Sequence, residues 1–217
     1  MELVAFDMDG TLLKEESSWR RVHEAFGTLD QGLRSLKEYE EGRITYREFM
    51  RRDLESWPKP LHIDVIKGIL KGYTLADGAE EAIKEIKGMG LKTAIVSAGI
   101  DVLAYEVSER LGIDYTLANR LEVDERGFLT GEGVEIVDPA RKHIALLQLL
   151  QTLHIPPERV IAVGDSIYDL SFLQCVGFGV ALGPDPQLKK LVKYHIGSVK
   201  ELPGLIREIL KGDPSPQ

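Results

Sequence analysis

The sequence predicts an α/β fold, a doubly wound and mainly parallel sheet interrupted early by an all-helical insertion. Three observations carry this expectation. Four short apolar runs, at 3–6, 93–96, 160–163 and 178–182, each lead into small or acidic residues. Helical periodicity alternates with the last three. From 14 to about 74 there is no strand pattern, while apolar residues recur at helical spacing. Strands alternating with helices are the rhythm of a doubly wound sheet. A chain of 217 residues suffices for one such domain with a large insertion, or for two small domains. Residues 1–13 and 75–217 are expected to form the core and 14–74 a helical cap.

The first run ends in Asp7-Met8-Asp9-Gly10-Thr11. In an open parallel sheet, ligands bind beyond the carboxyl ends of the strands. Two acids one residue apart at such an end repel each other unless a cation or a proton lies between them. An acid-x-acid pair followed by a hydroxyl suits an Mg²⁺ site with one carboxylate left as a nucleophile.

The insertion follows. Trp19, Val22, His23 and Phe26 fall at helical spacing, with Ser17 or Ser18 as the cap and Gly27 as the stop. Tyr46, Phe49, Met50 and Leu54 make a second stripe, closed by Trp57-Pro58-Lys59-Pro60. Ile63, Ile66 and Leu70 make a third, ended by Gly72. Emerging directly after the acidic motif, this segment is expected to lie over the site as a lid hinged near Lys14-Glu15 and Gly72-Tyr73. A further helix begins near Asp77-Gly78.

The run at 93–96 leads into Ser97-Ala98-Gly99 and a helix starting near Asp101, which makes an anion cradle of backbone N–H groups and one hydroxyl. Two extended segments within 115–136 flank Asp124-Glu125-Arg126-Gly127. They read as a hairpin appended to the sheet, with Gly127 in the left-handed conformation. Asp138 caps the next helix, with Pro139 at its first position. Arg141, Lys142 and His143 then crowd a first turn whose dipole prefers anions. A local rule broken this way points to function. One of these side chains is expected to reach an anion or a carboxylate, and spacing leaves Arg141 and Lys142 both open. The run at 160–163 leads into Gly164-Asp165-Ser166-Ile167-Tyr168-Asp169. Asp165 is positioned to complete the cation site, and Ser166 with Asp169 fits a capping box. Residues 213–217 read as a disordered tail.

Composition narrows the function classes. Hydrophobic residues make up 43% and charged residues 29%, a globular balance. The net charge of -8 argues against general nucleic-acid binding. Cys175 is the single cysteine, so no internal disulfide is possible, and its apolar surroundings read as core. Neither a signal peptide nor a membrane span is visible, and the expected location is cytoplasmic. The five histidines show no ligand spacing and are taken as incidental. Nothing in the sequence reports the oligomeric state.

In order along the chain, Asp7-Met-Asp-Gly-Thr11, Ser97, Lys142 and Gly164-Asp165-x3-Asp169 resemble the four motifs of the haloacid dehalogenase-like hydrolases. The resemblance spans the whole chain, and the insertion is similar to that of the phosphoserine phosphatase-like branch. It implies a Rossmann-like hydrolase core and a Mg²⁺-dependent phosphatase acting on small phosphorylated metabolites through an aspartyl-phosphate. Asp7 is then the nucleophile. Asp9 is the acid for the leaving group and then the base for water, with its carbonyl in the Mg²⁺ shell. Asp165 is a metal ligand. Thr11 and Ser97, with Ala98 beside it, bind the phosphoryl group. Lys142 balances the charge of Asp7, and Asp169 orients Lys142. The second acid distinguishes phosphate chemistry from dehalogenation, whose halide needs no proton. A phosphomutase or phosphotransferase of the same superfamily, and a phosphate-binding regulatory module, are the alternatives.

Within that branch a cap glutamate takes the substrate amine, and Glu16 stands at the matching place. A cap arginine, seven residues after an aromatic, takes the substrate carboxylate. Counted from Tyr46, that position is Asp53, with Arg51 and Arg52 close by. Asp53 is therefore expected at the cleft, disfavouring phosphoserine by like-charge repulsion unless Arg51 or Arg52 reaches the carboxylate instead.

Overall fold

The computed structural model describes residues 1–15 and 17–212. Strand β1 (Leu3–Phe6) opens the chain and is buried along its whole length. Four helices follow: α1 (Ser18–Phe26), α2 (Leu29–Glu40), α3 (Tyr46–Ser56) and α4 (Ile63–Leu70). Then come α5 (Ala79–Gly88), β2 (Lys92–Ile100), α6 (Asp101–Leu111), β3 (Tyr115–Val123), β4 (Leu129–Val134) and α7 (Lys142–Leu153). The chain finishes with β5 (Val160–Gly164), α8 (Leu170–Gln174), β6 (Phe178–Leu182), α9 (Pro186–Leu191), β7 (Tyr194–Ile196) and α10 (Leu202–Lys211).

All seven strands join one sheet in the order β4-β3-β2-β1-β5-β6-β7. Every neighbouring pair is parallel except β3 with β4. Alternate residues of β1 divide the core, as the two-residue period of a strand requires. Val4 and Phe6 face Ile83, Leu103 and Ile206 of α5, α6 and α10. Leu3 and Ala5 face Leu146, Phe172 and Leu188 of α7, α8 and α9. Both faces of the sheet are therefore covered, which is why its central strands read as unbroken apolar runs.

Local signals in the sequence resolve as follows. Ser17 is the cap of α1, its side chain accepting from the Arg20 N–H, and Gly27 ends the helix in the left-handed conformation. Gly127 is left-handed in the β3–β4 turn. Asp138 caps a single 3₁₀ turn at Pro139–Arg141, and the α-helix proper starts at Lys142. One expectation changes, and one strand is added to those expected. β3 is a full member of the sheet, with Tyr115–Leu117 paired to 94–96 of β2, and only its far end forms the antiparallel ribbon with β4. β7, three residues long, is too short to show a periodicity in the sequence.

The segments entering and leaving the helical insertion run side by side. Leu13 bridges Leu75, the Lys14 N–H donates to the Thr74 carbonyl, and the Thr74 N–H donates to the Glu15 carboxylate. Glu16 and residues 213–217 lie outside the described residues, so the expected substrate contact of Glu16 and the expected disorder of the tail have no structural counterpart here. Among the described residues, no helix is long and apolar enough to cross a membrane.

Candidate active site

Parallel pairing of β1 with β5 sets Phe6 beside Val163, so the residues beyond them emerge together at one edge of the sheet. The Asp7 N–H donates to the Val163 carbonyl at 2.9 Å. Carboxylate oxygens of Asp7, Asp165 and Asp169 lie within 4.8 Å of one another. Gly10 makes this possible. It has a φ of 81°, and a Cβ there would stand 2.4 Å from Asp165 Oδ2. Burial pushes the pKa of Asp7 well up; Lys142 opposes this, and the charges of Asp169 and Asp165 add to it. Asp165 is pushed up to about 6, mainly by burial. These are hard oxygen donors crowded at a cost that a divalent cation would relieve, which fits Mg²⁺.

Lys142 is buried between two of these acids. Its Nζ is 2.8 Å from Asp7 Oδ1 and 2.6 Å from Asp169 Oδ1. Burial works against its charged form, but Asp169 and Asp7 more than offset this and hold its pKa above the ordinary value. The cation at the N-terminus of α7 is thus compensated by tertiary partners. Arg141, the other candidate, is mostly exposed and paired with Asp138 at 2.8 Å. Asp169 has two duties. One oxygen meets Lys142, and the other accepts from the backbone N–H groups of Asp165 and Ser166, completing the capping box.

Asp9 is held from the insertion side. The Ser18 hydroxyl and N–H both donate to Asp9 Oδ2, at 3.0 and 3.1 Å. Burial raises the pKa of Asp9, and these two bonds oppose the rise. Two expectations about phosphoryl contacts change. The Thr11 hydroxyl donates to Asp165 Oδ1 at 2.6 Å, so it orients that carboxylate and is fully buried beneath the site. The Ser97-Ala98-Gly99 turn is only partly open as an anion cradle. The Gly99 N–H donates to Ser97 Oγ, and the Ile100 N–H donates to Ser18 Oγ. Ser97 and Ala98 still line the cavity above Asp7.

Helices α1, α2 and α3 roof that cavity, which encloses about 470 Å³. Trp19 Nε1 and the Tyr46 hydroxyl both donate to the Ala98 carbonyl, at 3.0 and 2.8 Å. Further out, Tyr39 OH donates to Asp138 Oδ1 at 2.5 Å, and Tyr168 OH donates to Glu40. Asp53 lines the cavity, as its count from Tyr46 anticipates, but it does not stand alone. It is 1% exposed, with Oδ2 3.0 Å from His23 Nε2. Burial raises its pKa, and His23 opposes the rise. His23 is therefore not incidental. Arg51 and Arg52 are not in the cavity. They are half-buried on another face of α3 and paired with Glu48, Glu55 and Glu38.

Sequence reasoning also passed over Asn119. It is fully buried, and its amide donates to the carbonyls of Ala98 and Val137 while its oxygen accepts from the N–H groups of Ile136 and Val137. It fixes the segment before Lys142 against the Ser97-Ala98 turn. The available signal was a polar amide inside the apolar pattern of a strand. Ser18 gave no such signal, because its role depends on where α1 lands.

Residues 1–177 match the family model of the haloacid dehalogenase-like hydrolases. The chain is 35% identical over 212 residues to the phosphoserine phosphatase of Methanocaldococcus jannaschii, a match covering 97% of this chain and 96% of that protein. It is 33% identical over 198 residues to the phosphoserine phosphatase of Lactococcus lactis, covering 89% of each. A solved complex of phosphoserine phosphatase with bound substrate matches with a TM-score of 0.76 at 31% identity, over 98% of both chains. A phosphoserine phosphatase solved as a phospho-aspartyl intermediate analogue matches with the same values. The chain belongs to the haloacid dehalogenase-like hydrolases and is a phosphoric monoester hydrolase.

Proposed function

We propose that this protein is a Mg²⁺-dependent phosphatase of small phosphate monoesters that forms an aspartyl-phosphate on Asp7. The observation that carries the reading is the contact between Asp7 Oδ1 and Lys142 Nζ, 2.8 Å long and buried, with a second acid, Asp9, fixed two residues away. Lys142 opposes the effect of burial on Asp7, and together with a bound cation it would hold Asp7 as the anion that a nucleophile requires. Asp7, the carbonyl of Asp9, and Asp165 would hold the cation, which supplies positive charge to the phosphoryl oxygens. Ser97 and Ala98 line the space where the phosphoryl group would sit.

In the first step a carboxylate oxygen of Asp7 bonds to phosphorus. The ester oxygen leaves and takes a proton from Asp9 Oδ1. In the second step Asp9 removes a proton from water, the water oxygen bonds to phosphorus, and the acyl-phosphate bond breaks. Phosphate is released and Asp7 regenerated. Phosphoryl transfer depends on positioning and charge neutralisation more than on covalent novelty. Residues 14–74 would act as the cap, swinging about the paired connections at Leu13–Leu75 and Lys14–Thr74 to admit substrate and exclude water. The physiological partner is then a small phosphorylated metabolite, in keeping with the cytoplasmic location expected from the sequence.

The test is release of inorganic phosphate from p-nitrophenyl phosphate in Mg²⁺, compared with excess chelator and with Asp7→Asn. Activity should need both the metal and Asp7. Full turnover in chelator would remove the metal from the reading.

A further inference from the structure

Resting on the phosphatase reading, we propose that the cavity under α1–α3 selects monoesters of uncharged, largely apolar alcohols and disfavours phosphoserine. Two apolar groups line the cavity, an aromatic wall and a leucine face. On α3, Phe49 stacks on Tyr46 at 5.1 Å and meets the edge of Trp19 of α1 at 6.0 Å, so an aromatic wall rises directly from the Ala98 carbonyl. On α2, Leu29, Leu33 and Leu36 turn one face to the same space. None of the three is buried, and Leu33 is 50% exposed. A contiguous leucine face left open beside catalytic carboxylates is apolar surface awaiting a ligand.

The charges in the cavity lead to the same conclusion. Lys142 is already matched by Asp7 and Asp169. Both ring nitrogens of His23 are committed, Nε2 to Asp53 at 3.0 Å and Nδ1 to the Thr28 hydroxyl at 2.8 Å. This pair is built in tightly. A Cβ on Gly32 of α2 would come within 2.7 Å of the His23 ring, so glycine is what lets α2 close over it. Arg20 sits at the mouth, half exposed and paired with Glu24 at 2.8 Å. A substrate carboxylate pushed into this space would face the carboxylate of Asp53 and a wall of rings and leucines. Burying a charge on those terms is unfavourable. An alkyl or aryl group would instead replace water on apolar surface.

The experiment measures phosphate release with Mg²⁺ from n-alkyl phosphates, methyl through octyl, from benzyl phosphate and from phosphoserine. The value of kcat/KM should rise about fourfold for each methylene that enters the cavity. Benzyl phosphate should exceed phosphoserine by on the order of 100-fold. Leu33→Asn, at a half-exposed position where the fold does not depend on the side chain, should flatten the chain-length series. A flat series in the unmodified protein, a slope unchanged in Leu33→Asn, or phosphoserine turned over as well as benzyl phosphate would each overturn the inference while leaving the phosphatase reading intact. Phosphoserine at that level would assign its carboxylate to Arg20. No phosphate released from any ester would defeat the phosphatase reading, and the inference with it.

Discussion

Ser18 grips Asp9 twice, through its hydroxyl and its backbone N–H, and both bonds end on the same oxygen, Oδ2. That N–H is one of the first-turn donors of α1 that have no partner within the helix, and the end of the helix favours a carboxylate beside it. The Ser18 hydroxyl also accepts from the Ile100 N–H at 3.1 Å. One hydroxyl therefore joins the helical insertion, the second acid and the junction of β2 with α6. Asp9 Oδ1 accepts no hydrogen bond among the described residues, and in the proposed reaction it is the oxygen that protonates the leaving group.

Ser18→Ala should therefore impair proton transfer more than phosphoryl binding. Alkyl phosphates, whose leaving groups need a proton, should slow by about 10- to 100-fold. p-Nitrophenyl phosphate, whose leaving group is stable as an anion, should slow much less. Parallel kcat measurements on the two ester types check this. Equal losses would mean that Ser18 seats the helices and does not position the acid.

Asp7→Asn should cut turnover by about 10⁴-fold or more, because a neutral amide does not attack phosphorus. It also removes one of three crowded carboxylates and leaves Lys142 paired with Asp169 at 2.6 Å. The metal-free variant should therefore melt at or above the temperature of the parent protein. Phosphate release and thermal denaturation in chelator read the two effects separately.

Lys142→Met should behave in the opposite way. It leaves Asp7 and Asp169 buried and facing one another without the ammonium between them. Removing one partner from a buried ionic cluster costs about 3–5 kcal/mol. Urea unfolding should show that loss together with a loss of turnover. A variant of unchanged stability would contradict the charge balance described here.

Metal and pH should act on stability together. Asp7, Asp9 and Asp165 all have pKa values raised by burial, Asp165 to about 6. A carboxylate with a raised pKa in the fold contributes stability that is present below its unfolded value, about 4, and is lost as pH climbs through the folded one. The Tm of the chelated protein should fall from pH 5 to pH 7.5 on this account. Mg²⁺ replaces the missing protons, so its stabilisation should be larger at pH 7.5 than at pH 5. At 100 times its Kd it adds about 2.7 kcal/mol. A metal-induced Tm shift that grows on acidification would contradict this carboxylate site.

Much of the fold and part of the site were legible in the residues themselves, because their causes are local. Four apolar runs became β1, β2, β5 and β6, since a strand covered on both faces has no room for polar residues. Asp7 and Asp165 lie at the ends of two such runs, and any parallel pairing of those runs brings the acids together. Gly27, Gly127 and Asp138 declared themselves by backbone chemistry. The placement of Arg51 and Arg52 was partly legible too. At 3.6 residues per turn, Asp53 shares a face with Tyr46, while Arg51 and Arg52 turn about 120–140° away.

Other features depend on contacts between elements distant in the chain, and no local pattern encodes them. Which of Arg141 and Lys142 turns inward was decided by Asp7 and Asp169, on two other segments. The Thr11 hydroxyl pairs with Asp165 only because the loop crosses over it at Gly10. The pairing of His23 with Asp53, and the bond from Ser18 to Asp9, require α1, α3 and the sheet edge to meet at one place. The α/β framework and the acids at its strand ends follow from neighbouring residues alone, because strand burial and cap chemistry act over a few positions. Which polar groups meet depends on packing between distant elements, because a buried charge takes its partner from whatever element comes within reach.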